Sequence, residues 1–177
     1  MCIRDSPSRP VQVAQDGCLI YSPEADLVMK ALKWEDVPMI GLGEVGKAAE
    51  RIGCLPDQIA KPSPVQAVGA ILAAVNGKGV DAIEAAWRVV KLGEDPRISR
   101  DTSFVIHVYD DTSAGLRSVE EAVKILRSSG MKVELRKFGI TDNHVKAEQL
   151  FNSGVFVYQN INDALMNSYD EPESLTN

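Results

Sequence analysis

Apolar stretches alternate with amphipathic stretches along most of the chain, and this alternation predicts the fold. The segment SFVIHVYDD, residues 103–111, is apolar and rich in β-branched residues in its middle, as expected of a central parallel strand covered on both faces. Further strands are predicted at 132–140 and 155–159, and helices at 63–75, 80–93, 118–130, 143–154 and 161–168. This order predicts an α/β fold, with a three-layer Rossmann-like parallel sheet and helices on both faces.

The two ends of the chain carry weaker patterns than its middle. The first six residues, MCIRDS, resemble the translation of a sequencing-library adapter, and we expect residues 1–6 to be an artefact. Residues 7–36 predict a hairpin around Asp16-Gly17 and then a short helix, the remnant of a region that continues upstream. The polar residues 169–177 predict a flexible tail. The α/β core is therefore predicted to span residues 37–168.

Composition excludes several classes of function. The net charge of -6 gives no basic surface, so we expect no nucleic-acid partner. No apolar run approaches the roughly 20 residues that a membrane-spanning helix needs. The three cysteines have no metal-ligand spacing, which favours a reducing, cytoplasmic location, and two histidines are too few for a His-rich metal site.

The segment VPMIGLGEVGKAAE, residues 37–50, matches two phosphate-binding patterns. Gly41, Gly43 and Gly46 form the G-x-G-x-x-G of dinucleotide folds, and Gly41 to Lys47 form the G-x-x-x-x-G-K of a P-loop. However, the proline-containing stretch 55–64 is unsuited to the acidic second strand that a dinucleotide fold needs. Ala48 stands where a P-loop has a magnesium-binding hydroxyl. We therefore interpret the segment as a strand-to-helix turn, and a nucleotide-binding domain that uses Gly41–Lys47 remains an alternative.

Two adjacent acids, Asp110 and Asp111, end the most apolar strand. Carboxylates this close repel each other unless they share a cation, and hard oxygen ligands favour Mg²⁺. Ligands of parallel sheets also bind beyond the carboxyl ends of the strands. The pair therefore predicts a magnesium site, and the alternative is a solvated strand end where Asp111 caps a turn.

Two motifs resemble those of the haloacid dehalogenase-like (HAD) hydrolases. The segment YDDTSAGL, residues 109–116, resembles the fourth motif of that superfamily, with Asp110 where Glu or Gly is more usual. The segment IAKPSPVQAV, residues 59–68, resembles the third motif, and Lys61 matches its lysine. The resemblance covers residues 37–168 and implies an incomplete HAD-like core.

The resemblance implies a Mg²⁺-dependent phosphatase that acts on a small phosphate ester. It implies a catalytic role for Lys61, which would bridge the phosphorylated aspartate and the substrate phosphate, and metal anchoring by Asp110 and Asp111. Where the family has Ser or Thr, this chain has Gly41, so the backbone amides of Gly41, Leu42 and Gly43 would bind phosphate instead. Supporting roles fall to Thr112 and Gly115.

The nucleophile motif of the family, Asp-x-Asp-Gly, is missing from this chain. When VAQDGCLIYS is aligned with it, Asp16 and Gly17 match the second acid and its glycine, but Ala14 occupies the position of the nucleophile. Either the true motif was lost with a truncated N-terminus, which we favour, or the site is degenerate. We therefore expect the C-terminal portion of a phosphatase that is inactive by itself; the alternative is a non-catalytic, degenerate α/β binding module.

Overall fold

The structure, a computed structural model, describes residues 37–76 and 79–170 without further gaps. Outside these ranges it describes only residues 4–5, 12–13, 19–20, 31 and 33. Secondary-structure elements are numbered below in chain order within these residues.

Four two-residue strands lie in the N-terminal part: β1 (Arg4–Asp5), β2 (Gln12–Val13), β3 (Leu19–Ile20) and β4 (Met39–Ile40). β2 pairs antiparallel with β3, as the predicted hairpin requires, and β1 pairs parallel with β4. β1 falls in the six residues that we expect to be an artefact, and backbone pairing alone does not decide their origin. The helix predicted after Pro23 lies outside the described residues, apart from the helical Ala31.

Three helices form most of the first half of the core: α1 (Leu42–Ile52), α2 (Pro64–Asn76) and α3 (Gly79–Leu92). α1 ends where Gly53 turns into the left-handed region at φ 79°, as its sequence predicts. A β-carbon built at Gly69 would lie 3.2 Å from Ile83 Cγ1, so this glycine allows α2 and α3 to pack closely. Among the described residues, no helix is both long enough and apolar enough to cross a membrane.

The second half of the core contains a three-stranded parallel sheet. Its strands are β5 (Ser103–Asp110), β6 (Lys132–Ile140) and β7 (Phe156–Tyr158), in the order β5-β6-β7. All three were predicted from the apolar pattern. Among the described strands β6 takes the middle place, whereas the sequence pattern favoured β5 as the central strand.

Helices cover both faces of this sheet. They are α4 (Ser113–Ser128), α5 (His144–Asn152) and α6 (Ile161–Asp170). Side chains of neighbouring residues in a strand point to opposite faces. Val108 packs with Leu116 of α4 and Leu150 of α5, whereas the Tyr109 hydroxyl donates a hydrogen bond to Ser168 of α6 at 2.9 Å. The predicted α/β class, with helices on both faces of a parallel sheet, is therefore confirmed.

The predicted ends of two helices differ from those observed. The sequence pattern predicted a helix from Ser118, because Ser118 with Glu121 three residues later has the spacing of a capping box. The observed helix α4 begins five residues earlier, after the N-cap Thr112. Ser118 is instead buried, and its hydroxyl donates a hydrogen bond to the carbonyl of Ser63 at 2.9 Å, which ties α4 to the loop before α2. At the other end of the chain, α6 continues through Asp170, two residues into the predicted tail; residues 171–177 lie outside the described part.

Acid should destabilise the fold partly through His107. Burial and the nearby positive charge of Arg136 lower the pKa of this histidine. The unfolded chain then binds more protons near pH 6.5, so this contribution to stability is complete above about pH 6.5 and falls as the pH drops below it. Urea denaturation measures the free energy of unfolding between about pH 5.5 and about pH 7.5. The His107→Phe variant should lose less of this free energy at the acid end than the unaltered protein does. The exposed His144 provides the control, because His144→Gln should keep the loss; equal pH dependence in both variants would contradict the prediction.

Candidate functional site

Lys61 and Asp110 meet at the carboxyl end of β5. Lys61 Nζ lies 2.8 Å from Asp110 Oδ2, although the two residues are 49 positions apart in the chain. The side chains are only 29% and 11% exposed, respectively, so both charged groups are largely shielded from water. The structure thus brings together the residues that carry the third-motif and fourth-motif resemblances.

Thr112 fixes the second oxygen of the Asp110 carboxylate. Asp110 Oδ1 accepts a hydrogen bond from the Thr112 backbone N–H at 2.8 Å and another from the Thr112 hydroxyl at 2.6 Å. The same hydroxyl oxygen accepts a hydrogen bond from the Gly115 N–H at 3.1 Å and so caps α4. The predicted supporting residue Thr112 therefore links the orientation of Asp110 to the first turn of a helix.

Gly115 leaves the space in which the Asp110 carboxylate lies. A β-carbon built at this position would overlap all three terminal atoms of the Asp110 side chain. The backbone of Gly115 is helical, so its backbone dihedral angles do not require glycine. Glycine is needed at position 115 because a side chain there would overlap the Asp110 carboxylate. This is a physical reason for the glycine in the segment 109–116.

The loop that carries Lys61 is held by a residue that the sequence analysis missed. Gln66, a buried side chain of α2, accepts a hydrogen bond from the Lys61 backbone N–H at 3.3 Å. Ser63 followed three residues later by glutamine is the spacing of a capping box, but here the glutamine bonds Lys61 N–H and not Ser63 N–H, which bonds the carbonyl of Ala60. This bond from the loop to α2, together with the hydrogen bond from Ser118 of α4 to Ser63, fixes the loop that carries Lys61.

Asp111 does not join Asp110 in this group. Its side chain is 65% exposed, and Oδ2 lies 3.6 Å from Lys146 Nζ of α5. Consecutive residues at a strand end point in different directions, so only one of two adjacent acids turns toward Lys61. The sequence predicted one magnesium site that uses both acids, whereas in the structure the two acids have different partners.

The predicted phosphate-binding residues Gly41, Leu42 and Gly43 lie at the turn from β4 into α1. Gly41 is the N-cap of this helix, as the interpretation of a strand-to-helix turn expects. Its N–H donates a hydrogen bond to Glu44 Oε2 at 2.9 Å. A carboxylate of the chain itself therefore holds one of the three predicted amides, and a phosphate would have to displace it and tolerate its charge. The signal was present in the sequence, because an acid three residues after the N-cap is typical of a helix start.

Asp110 has the capacity to bind a cation in exchange for the Lys61 ammonium. The two hydrogen bonds from Thr112 occupy Oδ1, so Oδ2, which now contacts Lys61 Nζ, is the oxygen that a metal ion would take. Mg²⁺ commonly keeps several waters and binds through one or two carboxylates together with a substrate phosphate. No group of three or more His, Cys, Asp or Glu residues with metal-binding geometry occurs in the described part of the chain. The residues present therefore suit a hydrated Mg²⁺ held by Asp110, and not a closed cage of protein ligands.

A small cavity lies beside the Lys61–Asp110 pair. Its volume is about 40 Å³, and its walls come mainly from apolar side chains of β4, β5 and α2, including Ile40, Ile106 and Ile71. Such a volume is far below the range of about 300–1,000 Å³ for typical small-molecule sites. The cavity is therefore too small to enclose an organic ligand.

Comparisons with known proteins found no match: neither a protein-family model, nor a curated protein, nor a solved structure matched the chain.

Proposed function

We propose that the chain is a HAD-like core that carries the phosphate- and magnesium-binding part of a phosphatase site, with a small phosphate ester as substrate. The observation that supports the proposal most is the 2.8 Å contact between Lys61 and Asp110. The resemblance assigns both residues to one site, and their contact across 49 positions of the chain agrees with that assignment.

The site residues have distinct roles in this proposal. Asp110 would hold a magnesium ion, which would supply positive charge for a bound phosphate. Lys61 donates hydrogen bonds to a phosphate oxygen. Thr112 and Gly115 keep the Asp110 carboxylate in place, the first by hydrogen bonds and the second by leaving space. Asp111 lies outside the first contacts of this group and is proposed only as an acceptor for water bound to the ion.

Lys61 and Asp110 should make magnesium and phosphate bind cooperatively. In the structure the lysine ammonium neutralises the Asp110 carboxylate. When Asp110 holds a cation instead, Lys61 is released from this ion pair and turns its charge toward phosphate. Each ligand then raises the affinity for the other by the same factor, as linkage requires.

Turnover needs a nucleophile, which this proposal does not assign to any described residue. Ala14 stands at the aligned position and lies outside the described residues, so we expect binding without hydrolysis of phosphate esters. A cytoplasmic location is part of the proposal, because sparse cysteines without metal spacing suit a reducing compartment.

Calorimetric titration with inorganic phosphate, in the presence and absence of Mg²⁺, tests the proposal. Asp110→Asn should weaken magnesium binding at least about tenfold and remove its coupling to phosphate, because the variant keeps the shape of the side chain without its charge. Lys61→Met should tighten magnesium binding several-fold, since Asp110 loses its competing cation, and should weaken phosphate binding about tenfold.

Asp111→Asn serves as the matched control, because it removes the same charge from the adjacent position. It should change magnesium affinity less than about threefold, as expected for a mainly exposed carboxylate. Equal effects of the two Asp variants would contradict the assignment of Asp110 as the magnesium ligand. Weaker magnesium binding in Lys61→Met would contradict the proposed competition.

A further inference from the structure

A second and larger cleft opens at the carboxyl ends of β6 and β7. Its volume is about 530 Å³, within the range of about 300–1,000 Å³ that is typical of small-molecule sites. Its lining combines acids, aromatic rings and hydrogen-bonding side chains, among them Asp142, His144, Glu148, Phe151, Tyr158 and Gln159. The Lys61–Asp110 pair contributes nothing to its walls.

α5 forms one wall of this cleft. His144, Glu148 and Phe151 follow one another at intervals of four and three residues, which places them on the same face of the helix. The sequence analysis predicted the helix but did not use this spacing. Lys146 lies on a different face and extends toward Asp111, so its ammonium group belongs to another contact.

The charges around the cleft favour a cationic ligand. Asp142 and Glu148 are acidic, and neither lysine nor arginine occurs among the described residues that line the cleft. Two amides of the first turn of α5 are already used, because the Asn143 side chain accepts hydrogen bonds from Val145 N–H and Lys146 N–H at 3.0 and 3.1 Å. An anion would meet two carboxylates and could not use these two donors.

The aromatic side chains favour a ligand that also has an apolar group. Phe151 is 71% exposed, and it borders the cleft together with Tyr158 and Val157. Aromatic faces attract organic cations, and carboxylates within the same site pair with their charge. The lining thus combines the two recognition elements of an amine that carries an alkyl or aromatic group.

We propose that this cleft binds a small organic cation, namely an amine with an apolar substituent. The ammonium group lies between Asp142 and Glu148, and the substituent covers the ring of Phe151. Because the cleft and the Lys61–Asp110 pair share no residue, this proposal does not depend on the proposed phosphatase site.

Titration of the full chain with benzylammonium, followed by NMR, tests this proposal. Benzyl alcohol and benzoate serve as neutral and anionic probes of similar shape. Benzylammonium should bind about tenfold more tightly than benzyl alcohol, and benzoate should bind more weakly than both. The shifted amide signals should come from α5 and from the ends of β6 and β7.

Variants separate the two recognition elements. Asp142→Asn combined with Glu148→Gln should reduce the affinity for benzylammonium about tenfold and leave that for benzyl alcohol unchanged. Phe151→Ala should reduce the affinity for both benzylammonium and benzyl alcohol. Glu121→Gln removes an exposed charge from α4, outside the cleft, and should leave both affinities unchanged. Equal binding of benzylammonium and benzyl alcohol, absence of binding, or unchanged affinity in the double variant would overturn the proposal.

Discussion

Replacing Phe138 with alanine should destabilise the protein by about 3–5 kcal/mol, the range for a fully buried phenylalanine. Phe138 lies in the middle strand β6 and is 0% exposed. Its ring stacks on Tyr109 with 4.9 Å between ring centroids, and Phe156 lies 6.0 Å away on the other neighbouring strand. Truncation would remove the contacts that join all three strands on one face of the sheet.

Urea denaturation measures this loss, and Phe151→Ala provides the matched control. Phe151 is 71% exposed, so its truncation should change stability by only about 0.5 kcal/mol. If Phe138→Ala does not fold, Phe138→Leu should fold with a smaller loss in the range of about 0.5–3 kcal/mol. Similar effects of alanine at positions 138 and 151 would contradict the described packing.

The second large effect is expected from Gly115→Ala, which should damage the site without removing any of its polar groups. In an ordinary helix interior this substitution stabilises by about 1 kcal/mol. Here the new β-carbon would overlap the Asp110 carboxylate, so Asp110 must move away from Lys61 and Thr112. We expect a loss of about 1–3 kcal/mol in stability and at least about a tenfold loss of magnesium-coupled phosphate binding.

A double-mutant cycle identifies the cause of this effect. In an Asp110→Ala background the overlapping atoms are absent, so Gly115→Ala should become neutral or stabilising, by up to about 1 kcal/mol. The sign of the stability change should therefore depend on residue 110. The same destabilisation in both backgrounds would show that Gly115 is needed for a reason other than the space for Asp110.

The periodicity of the chain was sufficient to predict most of the fold. β5 follows from its apolar run, and Gly53 marks the end of α1. The start of α4 was misplaced because two residues, Thr112 and Ser118, are both good helix caps. Tertiary contact decided between them, since Ser118 is buried against the loop before α2. Such a contact has no signature in local sequence.

The candidate site was predicted only in part. The sequence assigned Lys61 and Asp110 to one site but predicted no ion pair between them, and no local pattern shows which of two adjacent acids turns inward. The use of Glu44 to hold the Gly41 amide was also missed, although its position in the first turn of α1 indicated it. The larger cleft depends on the closeness of α5 to the ends of β6 and β7, which spacing within one helix does not reveal.

We propose that Lys61 and Asp110 exchange their mutual ion pair for phosphate and Mg²⁺. The most direct test is the affinity of the unaltered chain for inorganic phosphate, measured by calorimetry with and without Mg²⁺. Mg²⁺ should tighten phosphate binding by about tenfold, and phosphate should tighten Mg²⁺ binding by the same factor. Phosphate binding that is absent, or that is the same with and without Mg²⁺, would contradict it.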